Sequence, residues 1–183
     1  AGNFEGSNVL HLAEDLDVLA DEEGTSPDEL RDRLDAMRCK MLGARAERPQ
    51  PATDTKVLAD WNGLAVGAFA AAGRVLGQDE YTETAKATAR FVLESMTDEK
   101  GRLLHVRAGG EAHTPAFQTD YAYLLDGLLE LYETTYDPTW IEHARRLADA
   151  MIDRFWDAAA GGFHLAAEDA PHLVARPVAV HDG

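Results

Sequence analysis

Two short runs carry the side chains best suited to chemistry. Asp60-Trp61-Asn62 begins one apolar segment, and Asp120-Tyr121-Ala122-Tyr123 begins another, with Phe117 just ahead of it. Carboxylates and an amide offer acceptors to hydroxyl groups, and flat rings offer faces to C–H surfaces, so a mouth lined this way suits a sugar. Asp120 is the stronger candidate for acid/base work, because neighbours such as Phe117, Tyr121 and Tyr123 would desolvate its carboxyl and raise its pKa. Aspartate is also a preferred helix cap, where it only binds backbone N–H groups; that alternative weighs on Asp120 and more heavily on Asp60. Trp61 is read either as a stacking face or as core. Asn62 needs partners if buried, from a pocket or from a neighbouring hairpin.

A further carboxylate, Glu5, lies in Gly2-Asn3-Phe4-Glu5-Gly6, where glycines let backbone approach a ligand. It is the candidate second member of an acid/base pair, against the plainer reading of an exposed turn residue. His11, His105, His113, His164 and His172 fall in or beside the segments predicted as hairpins, and imidazole is suited to moving protons near neutral pH. None has a metal-ligand spacing. No phosphate-cradling loop or nucleophile elbow is present, so neither a metal nor a cofactor is expected.

These residues must be positioned by helices. Ser26-Pro27-Asp28-Glu29 has the form of a capping box with proline at the first helical position, and Leu30, Leu34, Met37 and Met41 follow at helical spacing. Arg48-Pro49-Gln50-Pro51 should end that helix. Trp61 to Leu76 is apolar almost all round and rich in Gly and Ala, so it should be buried on several sides with neighbouring helices close by. Tyr81, Ala85, Ala89, Val92 and Met96 then form one stripe of an amphipathic helix. Two short strands follow, around Gly109-Gly110.

The same order returns: an apolar segment from Tyr121 to Tyr132, a stripe of Trp140, Ala144, Ala148, Met151 and Phe155, and a second hairpin at Gly161-Gly162-Phe163-His164-Leu165 with His172-Leu173-Val174. Asp60 to Asp120 and Gly67 to Gly127 are each 60 apart, while Tyr81 to Trp140 and Ala85 to Ala144 are each 59 apart. An internal repeat of this size, alternating an apolar with an amphipathic helix, implies a double-layered ring in which each unit buries the next. The expectation is a mainly α protein, a partial (α/α)6 toroid of inner and outer helix pairs with short β-hairpins between units. Residues 1–24 form a hairpin end and lead-in, 25–48 a helix, 49–59 a Pro-rich loop, and 60–118 and 119–183 the two repeat units, all as part of one domain. The chain starts at Ala1 and stops at Gly183 just after an apolar segment, and both ends read as cuts inside a longer protein.

Composition narrows the partners. The net charge of −16 repels phosphate backbones and anionic lipid, so nucleic acid and membrane are excluded as expected partners. No run of about 18 apolar residues is present. Cys39 is the single cysteine, and a reducing cytoplasmic location is the default expectation. Lysine occurs only at positions 40, 56, 86 and 100 against 33 acidic residues, a balance typical of salt-adapted proteins. The melting temperature is expected to rise from low salt to molar KCl; a curve that stayed put would remove the halophilic reading.

The ordered runs Gly2-Asn-Phe-Glu-Gly-Ser-Asn-Val-Leu-His11, Lys56-Val-Leu-Ala-Asp-Trp-Asn-Gly-Leu64, Phe117-Gln-Thr-Asp-Tyr-Ala-Tyr123, Leu128-Leu-Glu-Leu-Tyr132, Val174-Ala-Arg-Pro177 and His181-Asp-Gly183 resemble the YyaL family, also called the spermatogenesis-associated, thioredoxin-domain-containing family. The resemblance covers essentially the whole chain. It implies an N-terminal thioredoxin-like domain, absent from this sequence, followed by an (α/α)6 toroid similar to N-acylglucosamine 2-epimerase and the six-hairpin glycosidases. In epimerases of that fold, histidines shuttle protons. Ala59 departs from the family, which more often has Thr there.

Two functions stay open at this stage. One is an enzyme acting on a small carbohydrate, either an epimerase or a glycosidase, with Asp120 and Glu5 as catalytic candidates. Its substrate-binding candidates are Asn3, His11, Trp61, Asn62, Phe117, Tyr121 and Tyr123. The other is a non-catalytic scaffold that presents clients to the thioredoxin-like domain. Uncovered apolar helices would also make the isolated chain self-associate.

Overall fold

The computed structural model describes residues 5–6, 9–170 and 175–178. The chain divides into two compact units, Ala1–Thr53 and Asp54–Gly183.

The first unit holds α1 (Leu16–Glu23) and α2 (Pro27–Ala46). The capping box forms as expected: Ser26 Oγ accepts from Glu29 N–H, and Glu29 accepts from Ser26 N–H, both at 3.2 Å. The short helix α1 was not expected within the lead-in. Its eight residues are mostly acidic or exposed, and Asp15 at its N-cap makes no side-chain bond.

The second unit runs β1 (Val57–Leu58), α3 (Ala59–Leu76), α4 (Asp79–Ser95), β2 (Leu104–Ala108), β3 (Glu111–Pro115), α5 (Gln118–Thr135), α6 (Pro138–Phe155), β4 (Trp156–Asp157) and β5 (Gly162–Phe163). Two helix pairs follow one another here, α3–α4 and α5–α6, each an apolar helix followed by an amphipathic one. Their apolar helices, α3 and α5, lie side by side and run the same way. Asp60 meets Asp120 at one end, and Arg74 meets Glu130 at 2.8 Å toward the other.

Close contact between α3 and α5 depends on glycine. A Cβ on Gly127 would strike the carbonyl oxygen of Gly63, and a Cβ on Gly63 would lie 2.5 Å from Leu124 N. Around that seam Leu124, Leu128, Leu131, Val66 and Ala70 are fully buried. Each fully buried leucine or valine contributes about 1.5–3 kcal/mol. The outer helices add Ala85, Ala89, Val92, Trp140, Ala144 and Phe155 to the same core. α3 is buried on the sides that meet α4 and α5, and its far face leaves Trp61, Leu64, Val75 and Leu76 exposed.

The first hairpin is larger than expected. β2 pairs antiparallel with β3 and also with β1, in the order β1-β2-β3, with Val57 opposite Arg107 and Val106 opposite His113. Because β1 runs directly into α3, and β3 leads within a few residues into α5, one small sheet sets the spacing of both helix starts. The second hairpin, β4–β5, is shorter, and His172-Leu173-Val174 lies outside the described residues.

Candidate active site at the paired helix starts

Asp120 is the centre of the site. It stands in the first turn of α5 with no exposed surface. Its Oδ2 accepts from Phe117 N–H at 2.7 Å, the half of a capping box that a carboxylate can make. Its Oδ1 accepts from Asp60 N–H at 3.1 Å, so one carboxylate ties together the starts of both α3 and α5. His105 on β2 completes the set, its Nδ1 lying 2.9 and 3.0 Å from the two oxygens. The ring of Phe117 meets the imidazole edge-on, with centroids 5.1 Å apart.

Burial pushes the Asp120 carboxyl above the ordinary carboxylate range, and the nearby Asp60 charge adds to this. The His105 hydrogen bond, the Phe117 N–H and the charge of His105 oppose it. Asp120 is thus both a cap and a buried, charge-perturbed group, so the two sequence readings of this residue meet in one geometry.

When Asp120 is ionised its oxygens accept from Nδ1–H, and a neutral imidazole then keeps a lone pair on Nε2. Nε2 has no hydrogen-bond partner among the described residues, and the side chain is 23% exposed. His164 differs: its Nδ1 contacts the Arg176 carbonyl at 2.9 Å and its Nε2 the Asp157 carboxylate at 3.3 Å. The pairings Thr97–Leu103 and Trp156–Phe163 align the two hairpins, and they put Leu165 opposite His105 in the repeat. Both hairpins thus hold a histidine near a carboxylate, but among the described residues only His105 reaches a helix-start aspartate, and the equivalent position of the other hairpin is Leu165.

The other candidates divide. Asp60 accepts at Oδ1 from Trp61 N–H at 2.7 Å, and Asn62 Nδ2 donates to the Leu58 carbonyl at 2.8 Å, which joins α3 to β1. Trp61 is 68% exposed, so it is no core residue in this unit. Tyr121 is core: it is buried, and its hydroxyl accepts from Leu103 N–H at 3.2 Å. Tyr123 is half-buried, beside the glycine seam. Glu5 and His11 belong to the first unit, both exposed, with Glu5 in a left-handed turn at φ 44° ahead of Gly6. Asn3 lies outside the described residues.

His105 was grouped in sequence with four other hairpin histidines. Period-two alternation does set it opposite the buried Val106, but contact with Asp120 needs the sheet register. Asp60, His105 and Asp120 each bring one ligand-type atom within 4.8 Å of the others. Both Asp120 oxygens already accept N–H bonds, whereas one Asp60 oxygen and His105 Nε2 have no hydrogen-bond partner among the described residues.

No protein-family model matches the chain. The fold is similar to cellobiose 2-epimerase from Bacillus thermoamylovorans, with a TM-score of 0.55 and 19% identity over 63% of this chain and 30% of that one. It is also similar to the GH76 α-mannanase of Bacteroides thetaiotaomicron, with a TM-score of 0.54 and 21% identity over 63% of this chain and 33% of that one. These likenesses show the architecture, a partial (α/α)6 toroid of inner and outer helix pairs. In sequence, human spermatogenesis-associated protein 20 is 37% identical over 171 residues, and the match takes in 22% of that protein's length. With 88% of its residues aligned at that level, the chain belongs to the spermatogenesis-associated protein 20 family.

Proposed function

We propose that this chain carries a carbohydrate-processing site in which His105 moves a proton and Asp120 positions it. The observation that carries the reading is the single His105–Asp120 pair, built at the shared helix starts and absent from the aligned hairpin, where Leu165 stands instead. Asp120 fixes the imidazole tautomer and stabilises the imidazolium that forms when Nε2 takes a proton. The fitting reaction is abstraction of the proton next to a sugar carbonyl, the first step shared by epimerisation and isomerisation. The electron pair of the broken C–H bond moves to the carbonyl oxygen.

Glycoside hydrolysis fits less well. Asp120 presents no surface from which to protonate a glycosidic oxygen. Carboxylate pairs in glycosidases stand about 5–9.5 Å apart across open space.

The test is a panel of reducing sugars incubated in D2O with the full-length protein, read by NMR for deuterium at the carbon next to the carbonyl. His105→Gln is expected to slow exchange by about 10²–10⁴-fold, the usual worth of a positioned acid/base group. Asp120→Asn should slow it too, with a changed pH profile. No exchange and no sugar binding by the wild type would leave Asp120 as a helix cap and favour the scaffold reading.

A further inference from the structure

The charge of the mouth bears on which sugars it admits. Two carboxylates, Asp60 and Asp120, flank one imidazole within 4.8 Å. Among the described residues no lysine or arginine is bonded to any of the three. The basic side chains of the adjoining strand segments are engaged elsewhere. Lys56 pairs with Asp54 at 3.0 Å, Arg102 pairs with Asp98 and Asp169, and Arg107 lies over the Phe91 ring at 5.6 Å. An anionic sugar would meet the charge of Asp60, and among the described residues no guanidinium or ammonium is bonded to the cluster to offset it.

Asp120 is wholly buried and its oxygens are taken, whereas Asp60 is only half-buried and one of its oxygens is unbonded among the described residues. Its neighbour Trp61 presents an exposed ring. We infer that the site takes a sugar without negative charge, neutral or amine-bearing, and that Asp60 sets this selectivity by excluding phosphorylated and uronic sugars. The inference rests on the carbohydrate reading given above and names its substrate class.

Asp60→Asn isolates the charge cleanly, because the bond from this residue to Asp120 comes from its backbone N–H and survives the substitution. A unit charge a few ångströms from a bound anion, partly screened by water, shifts affinity by about tenfold. Molar salt should remove most of that shift.

The experiment measures binding of glucose, glucosamine, glucose 6-phosphate and glucuronate to the full-length protein by calorimetry or saturation-transfer NMR. The wild type is expected to bind the first two at least about tenfold more tightly than the last two at low salt. Asp60→Asn should narrow that ratio about tenfold, and molar KCl should narrow it in the wild type. A wild type that held glucose 6-phosphate or glucuronate as tightly as glucose would overturn the inference while leaving the carbohydrate reading intact. So would an unchanged ratio in Asp60→Asn. Binding of none of the four would defeat both.

Discussion

Gly127→Val destabilises the protein by at least about 3 kcal/mol, the upper end for overpacking, and lowers the melting temperature by about 6–12 °C. The reason is local to the seam between α3 and α5. The first atom added at Gly127 collides with the Gly63 carbonyl oxygen, which is helix backbone and cannot rotate away. The helices must therefore separate, opening space around Leu124, Leu128 and Val66, which are now fully buried. Alanine at the same position should also destabilise, because its better helix propensity returns only about 1 kcal/mol. The control is Gly67→Ala. Its Cβ would meet nothing nearer than the Gly127 Cα at 3.4 Å, an ordinary contact, so the change should stay within about 1 kcal/mol. Thermal unfolding of the three variants side by side decides the matter; equal losses at Gly67 and Gly127 would refute the seam.

Asp120→Ala is expected to cost about 3 kcal/mol in urea unfolding, since it leaves the part-buried N–H groups of Phe117 and Asp60 unpaired and His105 without its partner. Asp120→Asn keeps the shape but turns one acceptor into a donor facing donors, and should cost less. The pH dependence separates these effects. Burial raises the folded pKa of Asp120 above its unfolded value, so the folded chain holds that proton more tightly. Its favourable contribution is complete below the unfolded value near 4 and is lost as pH rises through the raised folded value. Stability of the wild type relative to Asp120→Asn should therefore fall as pH rises above about 4. A difference that rose over that range would show the carboxylate to be stabilised as the anion.

Much of this architecture can be read from residue order. Ser26 and Glu29 announce the start of α2, and the offsets of 60 and 59 place α5 and α6 on α3 and α4. The glycine content of the apolar segments signals close helix contact. The helix α1 is too short and too acidic to show a buried stripe. The two residues of β1 carry no alternation at all, so the third strand of the sheet escapes notice. That omission also hid the site, because the register of β2 determines which hairpin histidine reaches Asp120. The aspartates are visible as a repeated pair. Their division of labour is not, because it turns on whether the backbone N–H or the carboxylate of each residue faces the other.

The sheet β1-β2-β3 has a mechanical meaning. Its central strand bears His105, one edge strand continues into the helix that begins beside Asp60, and the other leads to the helix that holds Asp120. Imidazole and carboxylates are thus joined through a few backbone hydrogen bonds, although the chain between Asp60 and His105 makes a long detour through α3 and α4. The three side chains are mounted on one strut, and they keep their relative positions while β2 stays zipped to β1 on one side and to β3 on the other.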